Sequence, residues 1–268
     1  MSERITVSVD RHVADVRLNR PEKYNALSWE MMRDIAEVLR RLEGEKGVRA
    51  VVLSGEGKGF CAGLDVESFA GIQAGGDGGL ADLRKRFAGG ITNLPQHVAY
   101  GWKQLPMPVI AAVHGVAFGG GCQIALGADI RLCAPDARLS IMEMKWGLVP
   151  DMGATQTLRD LVPIDVAKEL IFTGRIVRGE EAARLGLVTR ICEKPYDAAM
   201  ALASEIADQS PDAVRAAKSL INRAWHGGHE EGLLLESEAE MTLIGRPNQV
   251  EAITANFEKR PPRFRDPE

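Results

Sequence analysis

The sequence predicts an α/β core followed by a helical C-terminal layer. Three features lead there: two short β-branched apolar runs each closed by a glycine turn, a helix-spaced segment ahead of them, and an almost wholly helical pattern from Val162 onward. At the start, Ile5, Val7 and Val9 alternate with polar residues, Asp10-Arg11-His12 supplies a turn, and Ala14, Val16 and Leu18 alternate again, which reads as a hairpin. Ser28 stands where a helix N-cap belongs, and Trp29, Met32, Ile35, Leu39 and Leu42 follow at helical spacing as far as Gly44. Val48 to Leu53 and Val109 to Val113 suit buried strands, and Ile130 to Cys133 continues the strand, helix, strand rhythm. Gly71 to Gly90 is the least regular stretch. Its run Ala74-Gly75-Gly76-Asp77-Gly78-Gly79 predicts a mobile loop or lid edge, because ordering so many glycines is entropically costly. Beyond Val162, Pro163, Pro195, Pro211 and Pro247 each sit near a plausible first turn, and the tail from Glu258 to Arg265 is basic and proline-rich.

Composition narrows the class. A chain of 268 residues with 45% hydrophobic and 26% charged residues can bury a substantial core, which excludes wholesale disorder. With 33 basic against 37 acidic residues and a net charge of -4, there is no surplus to displace counterions, so no nucleic-acid partner is expected. Cys61, Cys122, Cys133 and Cys192 form no CxxC pair, which fits a reducing cytoplasm and suggests neither a disulfide framework nor a metal site. Met1 to Asp10 lacks the apolar core of a signal peptide, and no stretch approaches the ~20 apolar residues that span a bilayer, so a cytoplasmic chain without a membrane partner is expected.

Two glycine turns follow buried strands: Gly59-Phe60-Cys61-Ala62-Gly63-Leu64-Asp65, and Ala117-Phe118-Gly119-Gly120-Gly121-Cys122-Gln123, which opens a helix-like stretch. Glycines there let another group approach the backbone and leave amide N–H groups unpaired; two such donors converging would stabilise a developing oxyanion. Tight strand-to-helix packing would use the same residues. Two carboxylates accompany the turns. Glu143 interrupts the apolar run Leu139-Ser140-Ile141-Met142-Glu143-Met144, and Asp151 interrupts Gly147-Leu148-Val149-Pro150-Asp151-Met152-Gly153. Burial against methionine and tryptophan would raise a carboxyl pKa toward the range a general acid or base needs. A surface carboxylate and an N-cap are the plainer alternatives. The histidines form no HExxH and the serines no GxSxG, so metal or serine hydrolysis has no support.

Asn25-Ala26-Leu27, Phe60-Cys61-Ala62-Gly63-Leu64-Asp65, Pro108-Val109-Ile110-Ala111-Ala112-Val113-His114-Gly115, Phe118-Gly119-Gly120-Gly121-Cys122, Gly147-Leu148-Val149-Pro150 and Phe257-Glu258-Lys259-Arg260 occur in an order that resembles the crotonase superfamily of enoyl-CoA hydratases and isomerases, from about Ile5 to Arg265. The resemblance implies a crotonase-like spiral of ββα repeats over residues 1–195, a C-terminal helical oligomerisation layer over 196–268 in the same functional unit, and a homotrimer or dimer of trimers. It implies an acyl-CoA thioester as substrate, with coenzyme A part of that substrate and no separate cofactor, and a place in fatty acid metabolism. By position, the oxyanion donors fall on the N–H groups of Leu64 and Gly120. The CoA contacts fall on the backbone around Ala26, Ala62 and Leu64, and on Lys259 reaching a neighbouring subunit's ligand.

The sequence also departs from the hydratase pattern. Hydratases of the superfamily hold the attacking water between two glutamates; the second is matched by Glu143, but the first position holds Gln123, an amide that can position water or substrate yet cannot move a proton. Asp151 matches an aspartate of the dienoyl-CoA isomerases, opposite the glutamate matched by Glu143. Double-bond isomerisation with Glu143 and Asp151 as the proton carriers is therefore the favoured expectation. Hydration of a 2-enoyl-CoA is the first alternative, and a non-catalytic acyl-CoA-binding subunit is the second.

Overall fold

The computed structural model of the protein describes residues 3–65 and 83–267. Its larger sheet has six strands: β1 (Ile5–Asp10), β2 (Val13–Leu18), β3 (Ala50–Gly55), β4 (Val109–Val113), β6 (Ile130–Cys133) and β9 (Arg190–Ile191), in spatial order β1-β2-β3-β4-β6-β9. The hairpin is antiparallel, with Val7 opposite Val16, and every later pairing in this sheet is parallel. The turn forms at Arg11 and His12, both with positive φ, which joins the two strands through two residues as a primed hairpin turn does. A smaller sheet of β5 (Val116–Phe118), β7 (Arg138–Ser140) and β8 (Val177–Arg178) stands beside it.

Alternation along the parallel strands divides the large sheet into two buried faces. Ala14, Val16, Val51, Leu53, Val109, Ala111 and Val113 point into the main core with α1 (Trp29–Glu43) and α2 (Leu94–Gln104). Val13, Ala50, Val52, Ile110, Ala112 and Leu132 face the other way, onto Ala199, Ala203 and Ala207 of α7 (Pro195–Ala207). Alanines at every fourth position let that helix lie close to the strands, and the strands read as continuous apolar runs because both faces are covered.

α1 begins and ends where its sequence signals stand: the Ser28 side chain accepts from Met31 N–H, and Gly44 is the C-cap. α3 (Gly120–Leu126), α4 (Ala154–Leu158), α5 (Ile164–Thr173) and α6 (Gly179–Leu185) follow between the short strands. The C-terminal layer is α8 (Pro211–Ala224), α9 (His229–Met241) and α10 (Pro247–Glu258). Proline occupies the first turn of α7, α8 and α10, whereas Pro163 is the N-cap of α5. A half-buried ion pair fastens this layer: Lys218 Nζ of α8 donates to Asp129 Oδ2 at 2.7 Å and to the carbonyls of Met107 and Trp102.

Residues 71–82 of the glycine-rich stretch lie outside the described residues. Residues 83–86 form an exposed turn that includes Arg84-Lys85-Arg86, followed by a short 3-10 turn, Phe87–Gly89. Among the described residues no helix is long and apolar enough to cross a membrane, and no cluster of His, Cys, Asp and Glu could hold a metal ion.

Candidate active site

The two glycine turns meet. Cys61 pairs with Ala117 in a parallel bridge: Cys61 N–H donates to Val116 O and Phe118 N–H to Cys61 O, both at 3.0 Å. This close approach depends on missing side chains. Gly63 has φ +89, and a Cβ there would sit 2.6 Å from Phe118 O and 3.5 Å from Gly120 N; a Cβ on Gly121 would sit 2.3 Å from Cys61 O. Leu64 and Gly120, the two residues matched to oxyanion donors, are therefore neighbours. Among the described residues no backbone carbonyl accepts from either N–H. The helix begins at Gly120 itself, earlier than the apolar run Ile124 to Ala128 would place it, with Gly119 as the N-cap.

A third segment closes against the first turn. Leu27 pairs with Leu64: Leu27 N–H donates to Gly63 O at 2.7 Å and Asp65 N–H to Leu27 O at 3.0 Å, while Ala62 N–H donates to Tyr24 O at 2.9 Å. Ala26, Ala62 and Leu64 thus form one strip. Asn25, fully buried, ties it together: Nδ2 donates to the carbonyls of Glu56, Gly59 and Phe60, and Oδ1 accepts from Arg20 N–H. Arg20 spans the same joint, donating to Ala26 O and, through Nη2, to Asp65 Oδ2 at 2.9 Å. Sequence reasoning gave Arg20 no part in this site. No signal in the sequence pointed to it: its partner Asn25 lies in the left-handed region (φ +57), a conformation asparagine tolerates but the sequence alone does not announce.

Glu143 starts a 3-10 turn just after β7, and Gly119 N–H donates to Ser140 O, which brings that turn against the second glycine loop. Glu143 is buried at 8% exposure, not a surface carboxylate, and its Oε1 lies 3.4 Å from the point a Cβ on Gly119 would occupy. Gln123 Nε2 donates to Glu143 Oε1 at 2.6 Å. Glu143 Oε2 is buried with no hydrogen-bond partner. Burial pushes the Glu143 carboxyl up from its ordinary value, opposed by its own backbone N–H and the Gln123 amide, with the charge of Asp151 adding to the rise.

Gln123, 1% exposed, is bonded at both ends: its Oε1 accepts from Met152 N–H at 2.9 Å and Ala154 N–H at 3.2 Å. One Nε2 hydrogen remains for a water or a substrate. Met152 lies over the second turn, with its Sδ 2.7 Å from the position of a Cβ on Gly120. Asp151 is solvent-accessible, yet crowding by the surrounding protein displaces its carboxyl upward, opposed by its own backbone N–H. It is not the cap of α4; Gly153 is, without a side-chain cap bond. Lys259 is exposed at the C-cap of α10 with φ 53, and among the described residues no contact brings it to this cluster.

The arrangement therefore holds a pair of adjacent backbone donors, a buried carboxyl with one bare oxygen, and a second carboxyl whose charge it feels. The enoyl-CoA hydratase/isomerase family model matches residues 8–267. The chain is 36% identical to a short-chain-enoyl-CoA hydratase of Clostridium acetobutylicum, over 92% of each chain. It is 32% identical to a mitochondrial methylglutaconyl-CoA hydratase of Mus musculus, over 96% of this chain and 80% of the other. An enoyl-CoA hydratase from Bacillus anthracis has the same fold, with a TM-score of 0.87 at 32% identity, covering 97% of this chain and 98% of the other. The α/β fold with its helical C-terminal layer, the converging glycine turns and these matches together show that the chain is an enzyme of the enoyl-CoA hydratase/isomerase family, within the crotonase superfamily.

Proposed function

We propose that the protein moves a double bond along an enoyl- or dienoyl-CoA, with Glu143 and Asp151 as the two proton carriers. The observation that carries this reading is the tied amide of Gln123. Where two-carboxylate hydration needs a second ionisable group, this chain has an amide bonded to Glu143, Met152 and Ala154, and the carboxyl whose charge reaches Glu143 is Asp151.

In this reaction the thioester oxygen accepts from Leu64 N–H and Gly120 N–H. Glu143 removes a proton from the carbon beside the thioester, the electron pair moves onto the thioester oxygen as an enolate, and the two amides hold that charge. The pair reacts in its singly protonated state, from the tautomer in which that proton sits on Asp151, and Asp151 returns it to a distal carbon as the double bond shifts. Glu143 ends protonated and Asp151 ionised, and exchange with solvent resets both, so no oxidant or reductant is consumed. The backbone around Ala26, Ala62 and Leu64 carries the CoA portion, and Lys259 reaches the CoA of a neighbouring subunit in a trimer-based assembly.

Hydration of a 2-enoyl-CoA is the second reading, favoured by the names of the relatives. In it Glu143 does the proton work alone, and the remaining Gln123 N–H orients the water. The test offers trans-2-enoyl-, 3-enoyl- and 3,5-dienoyl-CoA and follows thioester conjugation by ultraviolet absorbance. Isomerisation gives growth of conjugated absorbance from the 3-enoyl and 3,5-dienoyl substrates. Loss of 2-enoyl absorbance without isomeric products establishes hydration instead. Asp151→Asn is expected to lower 3,5-dienoyl isomerisation by about 10²-fold or more, the usual scale for a general acid, with CoA binding intact; an unchanged rate removes Asp151 from the mechanism.

A further inference from the structure

Gln123 has a chemical constraint that fixes more than its own orientation. The end of the amide facing Met152 N–H and Ala154 N–H must be the oxygen, since an NH2 group there would meet two donors. The other end is then the nitrogen, so the Glu143 oxygen it faces at 2.6 Å must accept. Oε1 of Glu143 is thereby committed as an acceptor in both protonation states. A proton on this carboxyl has one place left, Oε2, which is the buried oxygen without a partner.

We propose that Gln123 is a positioning residue that anchors Glu143 through Oε1, makes Oε2 the proton-carrying oxygen of the site, and fastens the segment bearing Asp151 to the same point. The role of Glu143 as proton carrier is taken from the reading above; the selection of its oxygen and the coupling to the Asp151 segment go beyond it. The other groups acting on this carboxyl leave the assignment intact. Asp151, in the segment before α4, acts on it through its charge, and Cys122 from α3 is a thiol pushed up to about 12, chiefly by burial and secondarily by Glu143, so it stays neutral. On its own turn, Lys145 is placed over the Trp146 ring.

The same geometry says what a carboxylate at position 123 would do. In Gln123→Glu one oxygen still accepts the two N–H groups, and the other confronts Glu143 Oε1 at hydrogen-bond distance, so the two carboxyls must share a proton. While that proton is present, the acid at 123 donates to Glu143 Oε1 as the amide does. When it leaves, two negative charges face each other and the anchor is lost. The variant should therefore work at low pH and fail at high pH, the reverse of what a restored pair of hydratase glutamates would give.

The test uses the full chain and two independent readouts. One is infrared titration of the carboxyl band without substrate, assigned with Glu143→Gln. The other is the pH dependence of solvent-deuterium incorporation into an acyl-CoA. The wild-type Glu143 band is expected to titrate in a single step. Gln123→Glu is expected to titrate in two, the upper one above the wild-type step, with exchange close to wild type below that upper step and at least tenfold lower above it. Gln123→Met, which keeps the volume but none of the three hydrogen bonds, is expected to move the Glu143 step upward and cut exchange at least tenfold while acyl-CoA binding stays within threefold. A Gln123→Glu variant with a single wild-type-like titration, or with faster exchange at high pH, overturns the proposal. So does a Gln123→Met variant whose band and exchange are unchanged. If the band couples as expected but no acyl-CoA exchanges, the positioning role stands and the functional reading above it falls.

Discussion

Glu143 combines two properties that oppose each other: burial that disfavours its charge, and a role that needs the charge. Its folded-state pKa lies above the ordinary 4.5, so the folded chain holds this proton more tightly than the unfolded chain does. Its contribution to stability is therefore complete below the ordinary value and is lost as pH rises through the elevated one. Glu143→Gln removes that cost, and its amide oxygen can still accept from Gln123. The variant is expected to melt at a higher temperature than wild type at neutral pH, with the difference closing below about pH 4.5. Its turnover is expected to fall by about 10²–10⁴-fold, the usual contribution of a general base. In the wild type, activity should rise with pH as the Glu143 and Asp151 pair loses its first proton and fall again as it loses the second, both steps lying above the ordinary carboxyl range. Calorimetry and a pH–rate profile check both directions, and a variant that is less stable at neutral pH would show that the carboxylate is stabilised by a partner.

The glycine turns are elements in their own right, because each sets the other's conformation. Gly63→Ala would place a methyl 2.6 Å from Phe118 O on a residue with φ +89. Backbone strain of this kind costs roughly 1–3 kcal/mol, readable as a lower urea midpoint with an unchanged slope. Displacing Leu64 N–H from Gly120 N–H should also lower turnover by about 10²-fold, the scale of losing one oxyanion donor. A variant that loses stability but keeps its turnover would show that the two turns are joined for packing alone. Both turns were legible in the sequence because a strand, a glycine cluster and a helix-like stretch succeed one another; their contact was not, since it depends on the Cys61 and Ala117 bridge between distant segments. The hairpin and α1 were legible because each repeats a period, of two or of 3.6, long enough to be read, and β3, β4 and β6 because each is a short apolar run of the kind a strand covered on both faces requires. β8 and β9 have two residues each, too few to show any period, and they lie inside a stretch that otherwise reads as helix. The tie between Gln123 and the Asp151 segment was invisible for the same reason as the bridge, because a side-chain amide gives no sign in sequence of which backbone groups it will meet.

At the scale of the whole molecule, the C-terminal layer is both attached and unfinished. The Lys218 and Asp129 pair pins α8 to the core, yet Trp225 is 69% exposed, Met241 75% and Phe257 84%. In the proposed trimer, a further copy of the chain in a closed ring would cover such side chains. Lys259 follows Phe257 by two residues at the end of α10, so a contact that covers Phe257 carries the lysine toward the neighbour. Two defective chains can test this. Lys259→Ala keeps Glu143 but should bind CoA more weakly, by about tenfold for one charge-assisted hydrogen bond; Glu143→Gln keeps the lysine but loses turnover. If Lys259 serves a neighbour's site, an equal mixture dissociated and reassembled contains sites with Glu143 from one chain and Lys259 from the other. In a random cyclic trimer these are about a quarter of all sites. The mixture is then expected to show a component with the wild-type KM and about that share of the wild-type maximal rate. A mixture whose only active component keeps the raised KM of Lys259→Ala would place the lysine in its own subunit's site. A Lys259→Ala chain with an unchanged KM would remove it from the CoA contacts altogether.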